Sequence, residues 1–180
     1  MTKKIKNVRI TRGSFLRLIS LTILLVFFLF PLKVNAQGKA NFAGTWSFNE
    51  TKSALGDAGG FRRPAKQLTV KQEGNALTVD RLRANRDGEE STQTSKYTLD
   101  GKECSNTMSM GGNEVTSKSI LTWSADGKAL TIAASTDYNG TTRKSTEVWK
   151  LTDAKTLSVA STSTNRDGAE VKATIVYDKK

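Results

Sequence analysis

The chain has no histidine and one cysteine, Cys104, and those two counts remove most of the chemistry a small protein performs. Without an imidazole there is no ordinary general base, no hydrolytic triad of the usual kind and nothing to activate Cys104 as a nucleophile. The commonest metal ligand is missing as well. Glu147 with Asp80, Asp87 or Asp137 offers carboxylates for acid–base work, but no spacing singles out a pair. Gly59-Gly60 and Gly111-Gly112 are lone glycine pairs rather than a phosphate-binding loop, and Met108 with Met110 are too few for copper. The sequence predicts no enzyme, no catalytic residues, no metal and no cofactor.

What is left is charge, and it must be counted on the right part of the chain. Lys3, Lys4, Lys6, Arg9, Arg12 and Arg17 form a cationic start, an apolar run follows from Leu18 to Leu32, and Val34-Asn35-Ala36 ends it with a small-residue pattern. This is the order of a secretory signal peptide over residues 1–36, with a run shorter than the ~20 residues of a spanning helix. The expected product is residues 37–180, periplasmic or extracellular, with no transmembrane segment after cleavage. The whole chain carries a formal net charge of +11. Beyond residue 36 only 21 basic residues face 17 acidic ones, a net of +4, which with export argues against nucleic-acid binding.

Those 144 residues suffice for one domain with its own core. Cys104 cannot close an internal disulfide, so packing must hold the fold, and burial of the thiol is the expected arrangement. From Phe42 onward, short segments rich in Thr, Val, Ile, Leu, Tyr and Trp alternate with turn signals at nearly even spacing. Gly74-Asn75, Asp87-Gly88, Asp100-Gly101, Gly111-Gly112, Asp126-Gly127, Asn139-Gly140 and Asp167-Gly168 supply hairpin chemistry. The pattern predicts ten strands, near 42–48, 66–73, 76–84, 91–99, 102–107, 114–124, 128–137, 141–151, 156–164 and 169–177, the fifth irregular. Every link is short except 49–65. Hairpin after hairpin predicts an all-β, up-and-down antiparallel meander that removes its edges by closing into a barrel, with a two-sheet sandwich as the alternative. Asn-Arg-Asp-Gly occurs at 85–88 and again at 165–168, which reads as reused turn chemistry rather than a duplicated unit.

Phe42-Ala43-Gly44-Thr45-Trp46 resembles the Gly-x-Trp opening of the first strand in the calycins, the group of lipocalins and fatty-acid-binding proteins. Asn49-Glu50-Thr51-Lys52-Ser53 is similar to the segment that follows in fatty-acid-binding proteins, and Val176-Tyr177-Asp178-Lys179 to their last strand. Together with the strand pattern over 41–179, the chain resembles small exported bacterial lipocalin-like domains, which implies a lipocalin-like barrel. Two positions depart from the fatty-acid-binding pattern. Tyr177 matches the tyrosine of the carboxylate site, but Ile175 stands where an arginine precedes it by two residues, and Trp149 falls about where the second arginine would be.

The ten-strand meander assigns alternate turns to opposite ends of a barrel, and the sequence treats the ends differently. Trp46, Tyr97, Trp123, Trp149 and Tyr177 gather at one end and should form a packed floor. At the other, inward parity places Arg81, Arg83, Ser117, Ser119, Ser161 and Arg143, with Arg62 and Phe61 in the long link as further candidates for a mouth. Small inward side chains leave space, and guanidinium forks favour a carboxylate or phosphate. The expected partner is a small amphipathic or anionic molecule. A rim of solvated arginines paired with nearby acids, in a non-enzymatic envelope interaction or structural protein with no internal ligand, fits the same residues. Oligomeric state is open.

Overall fold

Among the described residues, ten strands follow one another with only hairpins between most of them. They are β1 (Gly44–Ala54), β2 (Gln67–Glu73), β3 (Ala76–Ala84), β4 (Glu90–Thr98), β5 (Glu103–Met110), β6 (Asn113–Trp123), β7 (Ala129–Tyr138), β8 (Thr141–Asp153), β9 (Thr156–Thr164) and β10 (Glu170–Lys179). The computed structural model describes residues 38–56, 64–85, 87–110, 113–138, 140–165 and 168–180. The proposed signal segment, Phe61, Arg62, Arg63, Arg86 and Arg166 lie outside them. No helix among the described residues is long and apolar enough to cross a membrane.

All pairings are antiparallel, in the order β4-β3-β2-β1-β10-β9-β8-β7-β6-β5. The first and last strands zip together, from Trp46 opposite Lys179 to Asn49 opposite Val176, so the sheet curls into a nearly closed barrel whose two edges are β4 and β5. Period-two burial drives the curl: along β6, Val115, Ser117, Ser119 and Leu121 are buried and their neighbours Thr116, Lys118 and Ile120 exposed. The sandwich alternative does not arise, because one sheet contains every strand.

The expected strand limits hold closely except at two places. β1 does not stop at 48 but continues to Ala54 through an irregularity in its pairing with β10. A polar knot replaces the ladder there. Asn49 Oδ1 accepts from the Lys52 amide at 3.0 Å and the Thr51 hydroxyl at 2.8 Å, and Ser53 Oγ accepts from the Val176 amide at 2.9 Å. Such a bulge re-aims the strand, and these side chains take up the Lys52 and Val176 amides where the ladder is interrupted. β5, expected to be irregular, runs regularly against β6 from Glu103–Ile120 to Met110–Asn113.

The asparagine and glycine of the two tetrapeptide copies make the same hydrogen bonds. Asn85 accepts at its carbonyl from Gly88 at 3.3 Å and donates its amide to Glu89, and Asn165 does the same with Gly168 and Ala169. In each copy the asparagine carboxamide also accepts the amide four residues on, at 2.9 Å. Gly88 and Gly168 take the positive φ of 87° and 81° that closes these turns.

One end of the barrel is filled. Phe42, Trp46, Leu77, Leu121, Leu130, Trp149 and Leu157 are fully buried there, with Tyr97 and Tyr177 beside them. The segment before β1 closes this end from below, a feature the strand pattern did not foretell. Trp46 Nε1 donates to the Phe42 carbonyl at 2.9 Å, and Gln72 clamps the same segment by accepting from the Phe42 amide and donating to the Ala40 carbonyl, both at 3.0 Å. Phe42 then stacks on Trp123 at 5.9 Å and meets Trp149 edge-on at 5.8 Å. Gly44 has a structural reason in this corner: its φ is +139°, and a Cβ would lie 2.8 Å from the Lys179 side chain, whose ammonium crosses 5.2 Å from the Trp46 ring. Trp123, expected among the buried floor residues, is only half-buried, because it sits at the last position of β6 with Lys39 over its outer face at 5.5 Å.

Candidate functional site: a polar cavity inside the barrel

Above the aromatic floor the inward side chains become small and polar, and the space is not filled. A cavity of about 820 Å³ occupies it. Of its twenty-one described lining residues, eleven carry hydroxyls, three carry amides, and Ala84, Met108, Ile132 and Ala134 are apolar. The reason lies in sequence parity. The inward positions of β6 and β8 change from Leu121 and Trp149 at the floor to Ser119, Ser117 and Ser145 above it, so identical backbone geometry encloses a packed core below and open space above.

The cavity reaches the surface sideways. Consecutive residues from Ser91 to Ser95 on β4 and from Asn106 to Ser109 on β5 line it. In an intact wall only alternate residues face inward, so contact with both faces of both edges means that the slot between β4 and β5 is continuous with the interior. Below the slot Asn106 closes the barrel. Its Oδ1 accepts from the Lys96 amide at 2.7 Å and its Nδ2 donates to the Lys96 carbonyl at 2.9 Å. A side-chain carboxamide thus replaces the peptide group of an absent ladder partner.

Among the described residues, three charged side chains line the cavity: Arg81, Arg83 and Glu147. Arg81, on β3, is only 8 % exposed. Its Nη2 lies 3.2 Å from Glu147 Oε2 across the barrel on β8, and its guanidinium lies 5.9 Å from the Trp149 ring centroid. Its Nη1 reaches Ser95 Oγ at 3.4 Å and the Tyr97 hydroxyl at 3.5 Å. Trp149 Nε1 donates to the same Glu147 oxygen at 2.9 Å. Glu147 lies deep in the fold but looks into the cavity, which leaves 32 % of its side chain exposed to that space.

Burial disfavours both charges, yet neither neutralises. It pushes the Glu147 carboxyl up, but the Arg81 guanidinium, the Trp149 indole N–H and the nearby Arg83 outweigh it and hold the carboxyl below the usual glutamate range. It likewise works against the Arg81 cation, which Glu147 and Tyr97 hold protonated above its ordinary value. Tyr177 lies near the pair, and its hydroxyl is pushed up to about 12 by burial and by the Glu147 charge. Arg83 Nη1 donates to Gln93 Oε1 at 3.0 Å.

A second, smaller space of about 80 Å³ lies on the other side of the pair, lined by Leu68, Trp149, Val159, Ser161, Ile175 and Tyr177 among others. Arg81, Arg83 and Glu147 border both spaces. Of the candidate mouth residues, Arg81, Arg83, Ser117 and Ser119 therefore come together at the large cavity, and Ser161 lies at the small one. Arg143 lines neither. Its guanidinium lies 5.4 Å from the ring centroid of Tyr138 at the β7–β8 hairpin. Gln93 and Ser95 were not among the candidates, although inward parity counted from Tyr97 leads to both. Asn106 carried no such signal, since its role depends on which two strands end up as edges. Cys104 is half-buried on β5, with Sγ 3.3 Å from the Ser119 carbonyl. Among the described residues no group of three or more Cys, Asp or Glu is placed to hold a metal ion.

No protein-family model matches the chain, and no curated protein matches it by sequence. Among solved structures, a mutant of the fluorescent protein UnaG superposes with a TM-score of 0.50 at 22% sequence identity, covering 77% of this chain and 96% of that one. The fold is calycin-like. In this calycin-like barrel the Gly-x-Trp corner at Gly44–Trp46 ties the N-terminal segment to the floor, while Ile175 and Tyr177 border the small space beside the Arg81–Glu147 pair.

Proposed function

We propose that the protein is an exported, non-enzymatic binding module that takes a small molecule, amphipathic or anionic, into the interior of its barrel. The observation that carries this reading is the 820 Å³ cavity, lined mainly by polar side chains, within the ~300–1,000 Å³ range of small-molecule sites. A fold built only for stability gains nothing from an unfilled upper half, because each large apolar side chain buried there would add ~1.5–3 kcal/mol. Export rests on residues 1–36, with Gln37 as the first residue of the exported form, in the periplasm or outside the cell. No residue is assigned a chemical step: the arginines bind and orient.

Gentle purification from the cell envelope followed by native mass spectrometry tests the reading. The expected result is a processed chain of 144 residues beginning at Gln37, part of it carrying a bound molecule that organic solvent releases. A chain that is always empty, and that takes up neither lipids nor anionic metabolites on titration, overturns the binding assignment.

A further inference from the structure

The charge of the chain beyond residue 36 is not spread evenly over the barrel. Lys39, Lys128, Lys150, Lys155, Lys179 and Lys180 are all exposed at its closed end. Backbone pairing sets them side by side along one rim. The Lys179 amide donates to the Lys155 carbonyl at 2.7 Å, and Ala40, next to Lys39, donates to Gly127, next to Lys128, at 2.9 Å. Lys150 stands opposite Ala129, the residue after Lys128, and on its other side opposite Ser158. The six form a crescent over the ends of five consecutive strands, β10-β9-β8-β7-β6, roughly 20 Å along the rim at ~4.8 Å per strand.

Little neutralises this crescent. Among the described residues none of its ammonium groups lies within ion-pair distance of a carboxylate. Lys39 and Lys179 lie over the rings of Trp123 and Trp46, and Lys180 donates to Gln67. The two acids within it, Asp126 and Asp153, are turned into their own hairpins, where they accept from the Lys128 amide at 3.0 Å and the Lys155 amide at 2.7 Å. The ionic side chains around it cancel: Lys102 pairs with Asp100, Lys52 with Asp178, and Lys71 stands two residues from Glu73. Six cations against two acids leave +4, the whole net side-chain charge beyond residue 36, since the other 15 basic and 15 acidic residues balance.

Residue type narrows the partner. The crescent contains no arginine. Guanidinium forks suit one discrete carboxylate or phosphate, whereas an ammonium on a flexible stem is a point charge that asks for no fixed geometry. None of the six lysines lines either cavity. The large apolar side chain exposed among the described residues, Ile120, lies on the outer wall at β6 and not on the rim. We propose that the crescent docks the closed end of the barrel on an anionic phospholipid bilayer. A diffuse plane of negative charge matches a row of point charges without a pocket, and each lysine contributes about fivefold in affinity near such a surface. β4 and β5 carry none of the six, so the docked protein keeps its slot clear of the membrane. The contact does not depend on what the cavity holds.

The test is sedimentation of the protein, purified without denaturation, with vesicles of phosphatidylcholine alone and of phosphatidylcholine with one third phosphatidylglycerol. The expected result is binding at least about tenfold tighter to the anionic vesicles at low salt, and its loss at ~0.5 M salt. Lys128→Gln combined with Lys150→Gln should weaken that binding about 25-fold, the product of two charges. Lys66→Gln combined with Lys144→Gln removes the same charge at the far ends of β2 and β8 and should weaken it less than about threefold. Both double variants should keep the near-ultraviolet circular dichroism of the natural chain. Equal losses from the two overturn the crescent in favour of net charge. Neutral vesicles bound as tightly overturn the electrostatic contact, and no binding to either vesicle overturns the bilayer as partner. Dextran sulfate bound by a protein that ignores anionic vesicles assigns the crescent to a soluble polyanion and overturns the lipid.

Discussion

Arg81 on β3 and Glu147 on β8 meet at 3.2 Å across the interior of the barrel, between a large polar space and a small, more apolar one. Neither strand touches the other in the sheet; four strands separate them along the order β3-β2-β1-β10-β9-β8. The pair therefore braces opposite walls. Removing one partner leaves the other charged and unmatched, which in buried pairs costs about 3–5 kcal/mol. Because Glu147 also faces the cavity, where water can reach it, Glu147→Gln should sit at the low end, about 3 kcal/mol. Urea unfolding of Glu147→Gln, Arg81→Met and the double variant measures this. The double variant should be more stable than the sum of the single losses implies, and simple additivity would contradict a direct pairing.

Acid should expose the same pair. Glu147 is held below the usual glutamate value, ~4.3, so its contribution is complete above that value and is lost as pH falls through its lowered folded value. The urea midpoint of the natural chain should drop more steeply below pH 4 than that of Glu147→Gln. Parallel curves would remove Glu147 from the acid response.

At the alkaline side Tyr177 should dominate. Its folded value is pushed up to about 12, against ~10 in the unfolded chain. Between those limits the unfolded state releases its proton first, so stability falls as pH rises from 10 to 12. Tyr177→Phe should flatten that part of the stability curve, and an unchanged slope would place the alkaline loss elsewhere.

The floor predicts a ranking of truncations. Trp149→Ala and Phe42→Ala remove fully buried rings that contact each other and should each cost about 3–5 kcal/mol. Trp123→Ala removes a half-buried ring and should cost about half as much. Trp123→Phe should be close to neutral, since the Trp123 Nε1 is buried without a partner. Thermal unfolding ranks all four.

Asn106 should control the slot. Asn106→Leu keeps the volume and deletes both hydrogen bonds to the Lys96 backbone, so amide exchange should quicken selectively at Lys96 and its β4 neighbours while the floor strands stay protected. Uniform acceleration across the barrel would contradict a local latch.

Strand number, order and inward parity were legible in the sequence because each rests on local chemistry: period-two burial, positive-φ glycines in the turns, and asparagine side chains that make the same hydrogen bonds in both copies of Asn-Arg-Asp-Gly. The bulge in β1 was not, since Asn49 and Ser53 replace ladder bonds only when β10 lies alongside. Nor was the plug, because Phe42 finds Trp123 and Trp149 only after the barrel has curled. The site was half legible. Parity placed Arg81, Arg83, Ser117 and Ser119 inward, but the cross-barrel bond to Glu147 and the side-facing slot depend on which strands close against which, and periodicity carries no register between distant strands.

The most direct test is a crystal structure of the protein purified from the cell envelope without denaturation. The structure predicts density for a bound small molecule inside the barrel, in the space lined by Arg81, Ser95, Ser117 and Ser119. A cavity that holds only water, or a ligand bound on the outer face of the strands, would contradict an internal binding site.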